Sequence, residues 1–304
     1  MRILLFGKDG LVGWELQRAL APLGVVVPLG RKGCKGLCGD LTKLDRLRQT
    51  IREIKPTVIV NAAAYTAVDR AEEERELAYI INAKAPTLLA EEAKAQDALL
   101  VHYSTDYVFD GSGDRAWREQ DPVAPINHYG LTKLTGEQAI QAAACRYLIF
   151  RTSWVYAARG KNFLGTMAKL IQEREALTVI DDQVGAPTGA ELIADVTTIA
   201  LRQAHQYPEL TGIYNLVAAG ETSWHGYAQF IAEWFKEQCV RIQATPERIQ
   251  PIPSAAWPTP ARRPLNSRLD RSKLENAFGL QLPEWQVGVE RALAERQNFT
   301  ISQD

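Results

Sequence analysis

Three glycines in Gly7-Lys8-Asp9-Gly10-Leu11-Val12-Gly13 stand between a short apolar run at 3–6 and a helical stretch over 14–23 that Gly24 closes. A strand, a glycine turn and a helix in that order form the first half of a βαβ unit of the kind that binds dinucleotides. One glycine makes the tight turn, one lets backbone approach a pyrophosphate, and one lets the helix pack close on the strand. The amides that open the helix, at Leu11, Val12 and Gly13, then serve as phosphate donors. The first gap is one residue longer than in G-x-G-x-x-G.

The alternation continues through the first half of the chain. Apolar segments at 3–6, 25–29, 57–60, 98–102 and 147–151 are separated by helical patterns near 12–23, 43–54, 71–96 and 128–144. Continuous apolar strands with helices between them imply a parallel sheet covered on both faces, and handed crossovers make it doubly wound. Past residue 150 proline and aromatic residues crowd together: Trp224, Tyr227, Phe230, Trp234, Pro251, Pro253 and Trp257-Pro258-Thr259-Pro260. Prolyl segments do not fit a central strand. The expected fold class is therefore α/β, a Rossmann-type doubly wound parallel sheet with a smaller C-terminal substrate-binding domain. The two are expected to interleave, 1–150 with about 178–220 against about 151–177 with 221–304, and 179–181 and 213–217 to return as strands.

With 304 residues, 46% of them hydrophobic, the chain can bury a sizeable core, and its formal charge of −1 gives no basic field for nucleic acid. No apolar stretch reaches the roughly 20 residues that span a bilayer, and the N-terminus lacks the apolar core of a signal peptide. A cytoplasmic protein with no membrane and no nucleic-acid partner is expected. The four cysteines, Cys34, Cys38, Cys145 and Cys239, have no second closely spaced pair and read as ordinary small side chains. Tryptophan and tyrosine in the tail can fill the core or an interface, which leaves a homodimer open.

Tyr129 and Lys133 lie four residues apart on a predicted helix, downstream of Ser104-Thr105. Positions i and i+4 share a helix face, so the Lys133 ammonium can sit beneath the Tyr129 phenol and favour its ionised form, while Thr105 supplies a hydrogen bond. Such a set can exchange a proton with a carbonyl or alkoxide oxygen.

The glycine turn, Thr105, Tyr129-x-x-x-Lys133 and Asn61-Ala62-Ala63-Ala64 together resemble the extended short-chain dehydrogenase/reductase superfamily, in which a nicotinamide cofactor works with a Ser/Thr-Tyr-Lys triad. Sugar-nucleotide 4,6-dehydratases of that superfamily follow Thr-Asp with Glu; here Asp106 is followed by Tyr107, which is no carboxylate base. Four further segments resemble the family of dTDP-4-dehydrorhamnose reductases: 61–69, 151–156, 182–188 and 260–267. That resemblance implies NAD(P)H-dependent reduction of the C4 ketone of dTDP-4-dehydro-L-rhamnose to dTDP-L-rhamnose. Another nucleotide-sugar 4-ketoreductase, or a non-catalytic NADP-binding regulatory subunit, are the other readings.

The resemblance also places residues. Tyr103, Tyr129, Lys133, Asp40, Leu41 and the run Ala62, Ala63, Ala64, Tyr65, Thr66 would line the cofactor's path. Thr105, Asp106, Val68, Asp69 and Trp154 would meet the dTDP-sugar, with Asp69 equally placed to cap a helix near 71. Arg262 and Arg263, on a proline-stiffened loop, offer donors to a pyrophosphate. The second strand runs into Gly30-Arg31-Lys32, with two cations where an acidic residue would repel a 2′-phosphate, so NADPH is expected over NADH. Some family members carry interfacial Mg²⁺, and Glu15, Glu191 and Glu295 fall where its carboxylates would be.

Overall fold

In the computed structural model, which describes residues 1–301, six strands form one parallel sheet: β1 (Arg2–Phe6), β2 (Val25–Leu29), β3 (Val58–Asn61), β4 (Leu99–Thr105), β5 (Arg146–Thr152) and β7 (Gly212–Asn215). Their spatial order is β7-β5-β4-β3-β1-β2. The order reverses between β1 and β3, and in such a sheet the crevice beyond the strands' C-terminal ends at that point receives ligands. Pro28 falls on β2, the edge strand, where a missing N–H costs no ladder bond.

Successive residues of each strand face opposite sides, so each central strand supplies two cores. Ile3, Leu5, Val58, Val60, Leu148 and Phe150 pack with helices α1 (Leu11–Leu20), α7 (Ala190–Gln206) and α9 (Ser272–Phe278). Leu4, Phe6, Ile59, Leu100 and Ile149 face α2 (Leu44–Ile54), α4 (Ala85–Ala95) and α5 (His128–Ala142). That double burial is why the strands read as unbroken apolar runs.

A separate core joins α6 (Phe163–Glu173), α8 (Trp224–Glu237) and α10 (Trp285–Ile301) around Tyr156, Tyr227 and Trp285. Its strands β6 (Leu177–Ile180) and β8 (Ile249–Ile252) pair only with each other. The segment expected at 179–181 is thus a strand, but it joins β8 and not the large sheet. Pro251 is tolerated on β8 because the ladder has a single partner. The chain crosses from this core back to the sheet between β6 and α7.

The single helix expected over 71–96 is broken. A 3₁₀ turn (Arg70–Glu72) leads to α3 (Arg75–Tyr79), then a widened π turn (Ile80–Lys84), then α4. Pro86 removes one intrahelical donor, and the π turn at Asn82 lets its carbonyl approach Gly136 so closely that a Cβ there would stand 2.2 Å away.

Candidate active site

Beyond β1, Gly7 takes φ +86 and donates its N–H to Leu29 O at 2.9 Å. A Cβ on Gly7 would stand 2.6 Å from the backbone of Ala62 and Ala63, and one on Gly13 would stand 2.0 Å from Gly7 O. The protein's own backbone therefore demands both. Gly10 is different: a Cβ there would meet Gly7 O at 3.4 Å, an ordinary contact. Gly10 also caps α1 without any side-chain bond to the first-turn amides. An anion coming against those amides would need that bare face, so the turn fits a dinucleotide pyrophosphate.

On the far side of the turn, exposed Arg31 reaches Asp40 across 3.9 Å. Burial alone would raise the Asp40 carboxyl, but two bonds from Thr42, with Arg31 and Lys43 nearby, hold it below its ordinary value. Leu41 is buried beside it. After β3, Asn61 Oδ1 accepts the Ala63 N–H at 3.2 Å. Ala64 and Thr66 stay exposed, and Tyr65 is held at both backbone ends by the Asn82 side chain, at 2.8 and 3.0 Å.

Asn127 caps α5, accepting the Gly130 N–H at 2.8 Å. Gly130 has no room for a Cβ, which would lie 2.2 Å from Tyr107 O, so α5 packs directly on the turn that ends β4. This brings Tyr129 beside Thr105, which lowers the phenol's pKa, and sets the Tyr107 ring edge-on to Tyr129 at 5.6 Å. Burial pushes the Tyr129 phenol up to about 12, with Thr105 pulling it down and Asp106 adding to the rise.

Lys133 is fully buried on the same face, but its ammonium does not act on the phenol as the spacing suggests. Lys133 Nζ bonds Tyr103 O at 2.5 Å and lies 3.3 Å from His102 Nε2. Burial brings Lys133 down to about 8, against the raising influence of Glu137 one turn on. Glu137 itself forms a buried pair with Arg151, at 2.6 Å. Tyr103 turns its own phenol to Thr197 on α7, at 2.8 Å, and contributes its carbonyl to the site.

Asp106 is buried and raised to about 6, since burial outweighs the bonds from Ser267 (2.5 Å) and Thr105 (3.1 Å). It ties the end of β4 to the 260–267 segment. Asp69 ties a second loop to that segment, accepting from Arg263 Nη2 at 2.7 Å and from the Ala261 N–H at 3.2 Å. It makes no side-chain cap bond to the following turn. Arg263 is thus spoken for, whereas Arg262 is exposed; Asn127 holds its carbonyl at 2.8 Å. Val68 is half-buried in the same loop as Asp69. Trp154, two residues past β5 and at φ +49, stacks on Trp224 at the start of α8 with centroids 3.6 Å apart.

Sequence reasoning missed several parts of this cleft. Asn82, Asn127 and Ser267 position its loops, and their signal is only that of polar residues in apolar surroundings. Ser104, Thr152 and Ser153 are nine-tenths or more buried at the ends of adjacent strands, and their hydroxyls lack partners among the described residues. Such orphaned donors suit a polar ligand group.

Glu15, Glu191 and Glu295 do come together, in a cavity of about 1340 Å³ on the α1 and α7 side that Tyr129 does not line. Burial raises Glu15, and Glu191 and Glu295 add to the rise against Arg18. Arg18 lies 3.6 Å from Glu15, and Arg291 3.3 Å from Glu191. Glu15 and Glu191 are thus each paired with an arginine, and no group of three among the described residues has the form of a metal site. Among those residues no helix is long and apolar enough to cross a membrane.

Residues 1–298 match the family described as RmlD substrate binding domain. The chain is 52% identical to a dTDP-4-dehydrorhamnose reductase of Shigella flexneri over 97% of this chain and 98% of that protein. Two solved dTDP-4-dehydrorhamnose reductases, each 34% identical, share its fold. That of Clostridium acetobutylicum has TM-score 0.88 and covers 98% of this chain and all of that one. That of Bacillus anthracis, solved in complex with NADP, has TM-score 0.85 and covers 97% and 99%. With a glycine turn, a Thr-Tyr-Lys cleft and this full-length likeness in hand, the chain belongs to the dTDP-4-dehydrorhamnose reductase family.

Proposed function

We propose that this protein reduces the C4 ketone of dTDP-4-dehydro-L-rhamnose to dTDP-L-rhamnose, with NADPH as preferred reductant and NADH accepted. The observation that carries this reading is the buried phenol of Tyr129, set beside Thr105 near the switch point of the sheet. A reduced nicotinamide dinucleotide, its pyrophosphate held at the glycine turn and its nicotinamide ribose at Lys133, would supply hydride to the carbonyl carbon. Tyr129 gives its proton to the carbonyl oxygen, and a phenol held at about 12 carries that proton throughout the neutral range. Thr105 holds the phenol in line, and Lys133 takes the nicotinamide ribose. Tyr107 in place of a carboxylate leaves no base for eliminating water.

The cofactor's pyrophosphate is assigned to Gly7, Gly10 and the amides of Leu11, Val12 and Gly13. Its adenosine goes to Arg31, Asp40 and Leu41, and the remaining path to Ala62–Thr66. No acidic residue stands at the end of β2 itself, and Arg31, although it reaches Asp40 at 3.9 Å, and Lys32 follow that end and favour a 2′-phosphate. The dTDP-sugar would lie between the half of the molecule built on α6, α8 and α10 and the loop after β3, through Trp154 and Arg262 and through Val68 and Asp69, with Arg263 acting through Asp69. Glu15, Glu191 and Glu295 carry no step of this reaction.

Purified protein mixed with dTDP-4-dehydro-L-rhamnose and either NADPH or NADH tests the reading through loss of reduced-nicotinamide absorbance. Rapid oxidation is expected, and Tyr129→Phe should lose about 10²-fold or more in kcat with NADPH affinity nearly intact. No oxidation despite NADPH binding overturns the reaction. Substantial turnover by Tyr129→Phe removes Tyr129 from the acid role, and a tenfold advantage in kcat/KM for NADH overturns the cofactor preference.

A further inference from the structure

Behind Lys133 lies a chain of buried polar groups that the reduction itself does not use. Asn61 Nδ2 lies 3.1 Å from His102 Nδ1, and His102 Nε2 lies 3.3 Å from Lys133 Nζ. All three residues are at most 1% exposed. The orientation of the Asn61 amide is fixed from its other end, because Asn61 Oδ1 accepts the Ala63 N–H at 3.2 Å. Asn61 therefore presents a donor to His102 Nδ1, which must accept. A neutral imidazole has one donor and one acceptor, so its proton sits on Nε2 and points at Lys133.

That geometry sets a conflict. A Lys133 ammonium has only donors, and one of them already serves Tyr103 O at 2.5 Å. Against an Nε2–H it makes a donor–donor contact; if His102 moves its proton to Nδ1, the same conflict reappears at Asn61. A Lys133 amine, with its lone pair turned to Nε2–H, removes the conflict. An imidazolium would make both contacts donor–donor, and burial with the neighbouring Lys133 holds the His102 pKa well below the ordinary value.

We propose that His102, fixed by Asn61, is a positioning residue that lowers the proton affinity of Lys133 and so sets the upper pH at which the reductase keeps a charged lysine. The inference rests on the proposed role of Lys133 in the cleft. The groups packed round Lys133 are few. On α5, Tyr129 and Glu137 lie one turn to either side; on β4 there are His102 and the Tyr103 carbonyl; on β5 Arg151 neutralises Glu137. Glu137 raises Lys133 and burial lowers it; the donor–donor contact with His102 Nε2–H, 3.3 Å away, would add to the lowering. The sign follows: Lys133 is charged below its pKa, and the rate falls as pH rises through it.

The test is kcat/KM for the NADPH-dependent reduction against pH, in wild type, His102→Gln and Lys133→Met, with Tm alongside. In His102→Gln the side-chain oxygen can turn to Lys133 and accept from its ammonium, so the alkaline limb should move up by about one pH unit. A packing role alone would lower Tm or the rate at every pH and leave the limb in place. Lys133→Met should lose most of the rate together with the limb; a variant that kept both would sink the Lys133 reading itself, separately from His102. Histidine-¹⁵N spectra of the wild-type protein decide the point even if His102→Gln fails to fold. One ring should stay neutral from pH 6 to 8, with Nδ1 bare and Nε2 protonated. A limb that stays put in a folded His102→Gln, or a His102 proton found on Nδ1, overturns the proposal.

Discussion

Burial pushes the Asp106 carboxyl from 3.8 up to about 6, even though Ser267 and Thr105 both hydrogen-bond to it. The folded state holds a proton between those values that the unfolded chain releases. Its contribution to stability is therefore full below about pH 4 and is lost as pH rises through about 6. At pH 7 the ionised buried carboxylate costs ~3 kcal/mol relative to a group with no charge to desolvate. Asp106→Asn has none, so the variant should gain on the wild type by about 2 kcal/mol between pH 4.5 and 7, the part of that cost which develops over this window. Paired urea unfolding at the two pH values measures it, and a difference independent of pH would show that the carboxyl titrates normally. The fold tolerates the cost because Asp106 joins the end of β4 to Ser267, across 161 positions of the chain.

At the scale of elements, the β1–turn–α1 unit separates what the fold needs from what a ligand needs. Gly7→Ala and Gly13→Ala each drive a Cβ into backbone, and Gly7 also sits at φ +86, so both should unfold or lose several degrees of Tm. Gly10→Ala meets only an ordinary contact, so its Tm should stay within a degree or two while the Kd for NADPH rises about tenfold or more. Equal loss of Tm in Gly10→Ala would place its role in folding. This unit was legible in the sequence because turn, strand and helix signals coincide within a few residues. The β strands were legible for a related reason: helices cover both faces of the sheet, and burial wrote itself into continuous apolar runs. The helix expected at 71–96 was not, since its break depends on where Asn82 and Gly136 meet, a contact between residues 54 apart. Tyr129 and Lys133 were legible as a pair on one face. The partners that hold the Lys133 ammonium, His102 and the Tyr103 carbonyl, lie on β4, and local spacing carries no mark of them.

Across the whole molecule, the cleft is assembled where the sheet's C-terminal edge meets the 260–267 segment, and a small number of polar ties make the join. Asp106 with Ser267, Asn127 with Arg262 O and Asp69 with Arg263 each cross more than a hundred residues of sequence. The sequence marked Arg262 and Arg263 as equivalent donors on a stiff loop. The tertiary fold separates them, spending Arg263 on Asp69 and leaving Arg262 at the surface, and only the long-range contact decides which is which. If that pair fixes the loop over the cleft, Asp69→Ala and Arg263→Ala should each raise KM for the dTDP-sugar about tenfold with smaller changes in kcat, because loop order is lost before chemistry begins. The double variant should then be little worse than either single one, with a coupling of about 1 kcal/mol in kcat/KM, as for side chains in direct contact. Steady-state kinetics of the four proteins measures that coupling. Strictly additive losses would mean that Asp69 and Arg263 meet the substrate independently, and the loop would then owe its position to Asp106 and Asn127 alone.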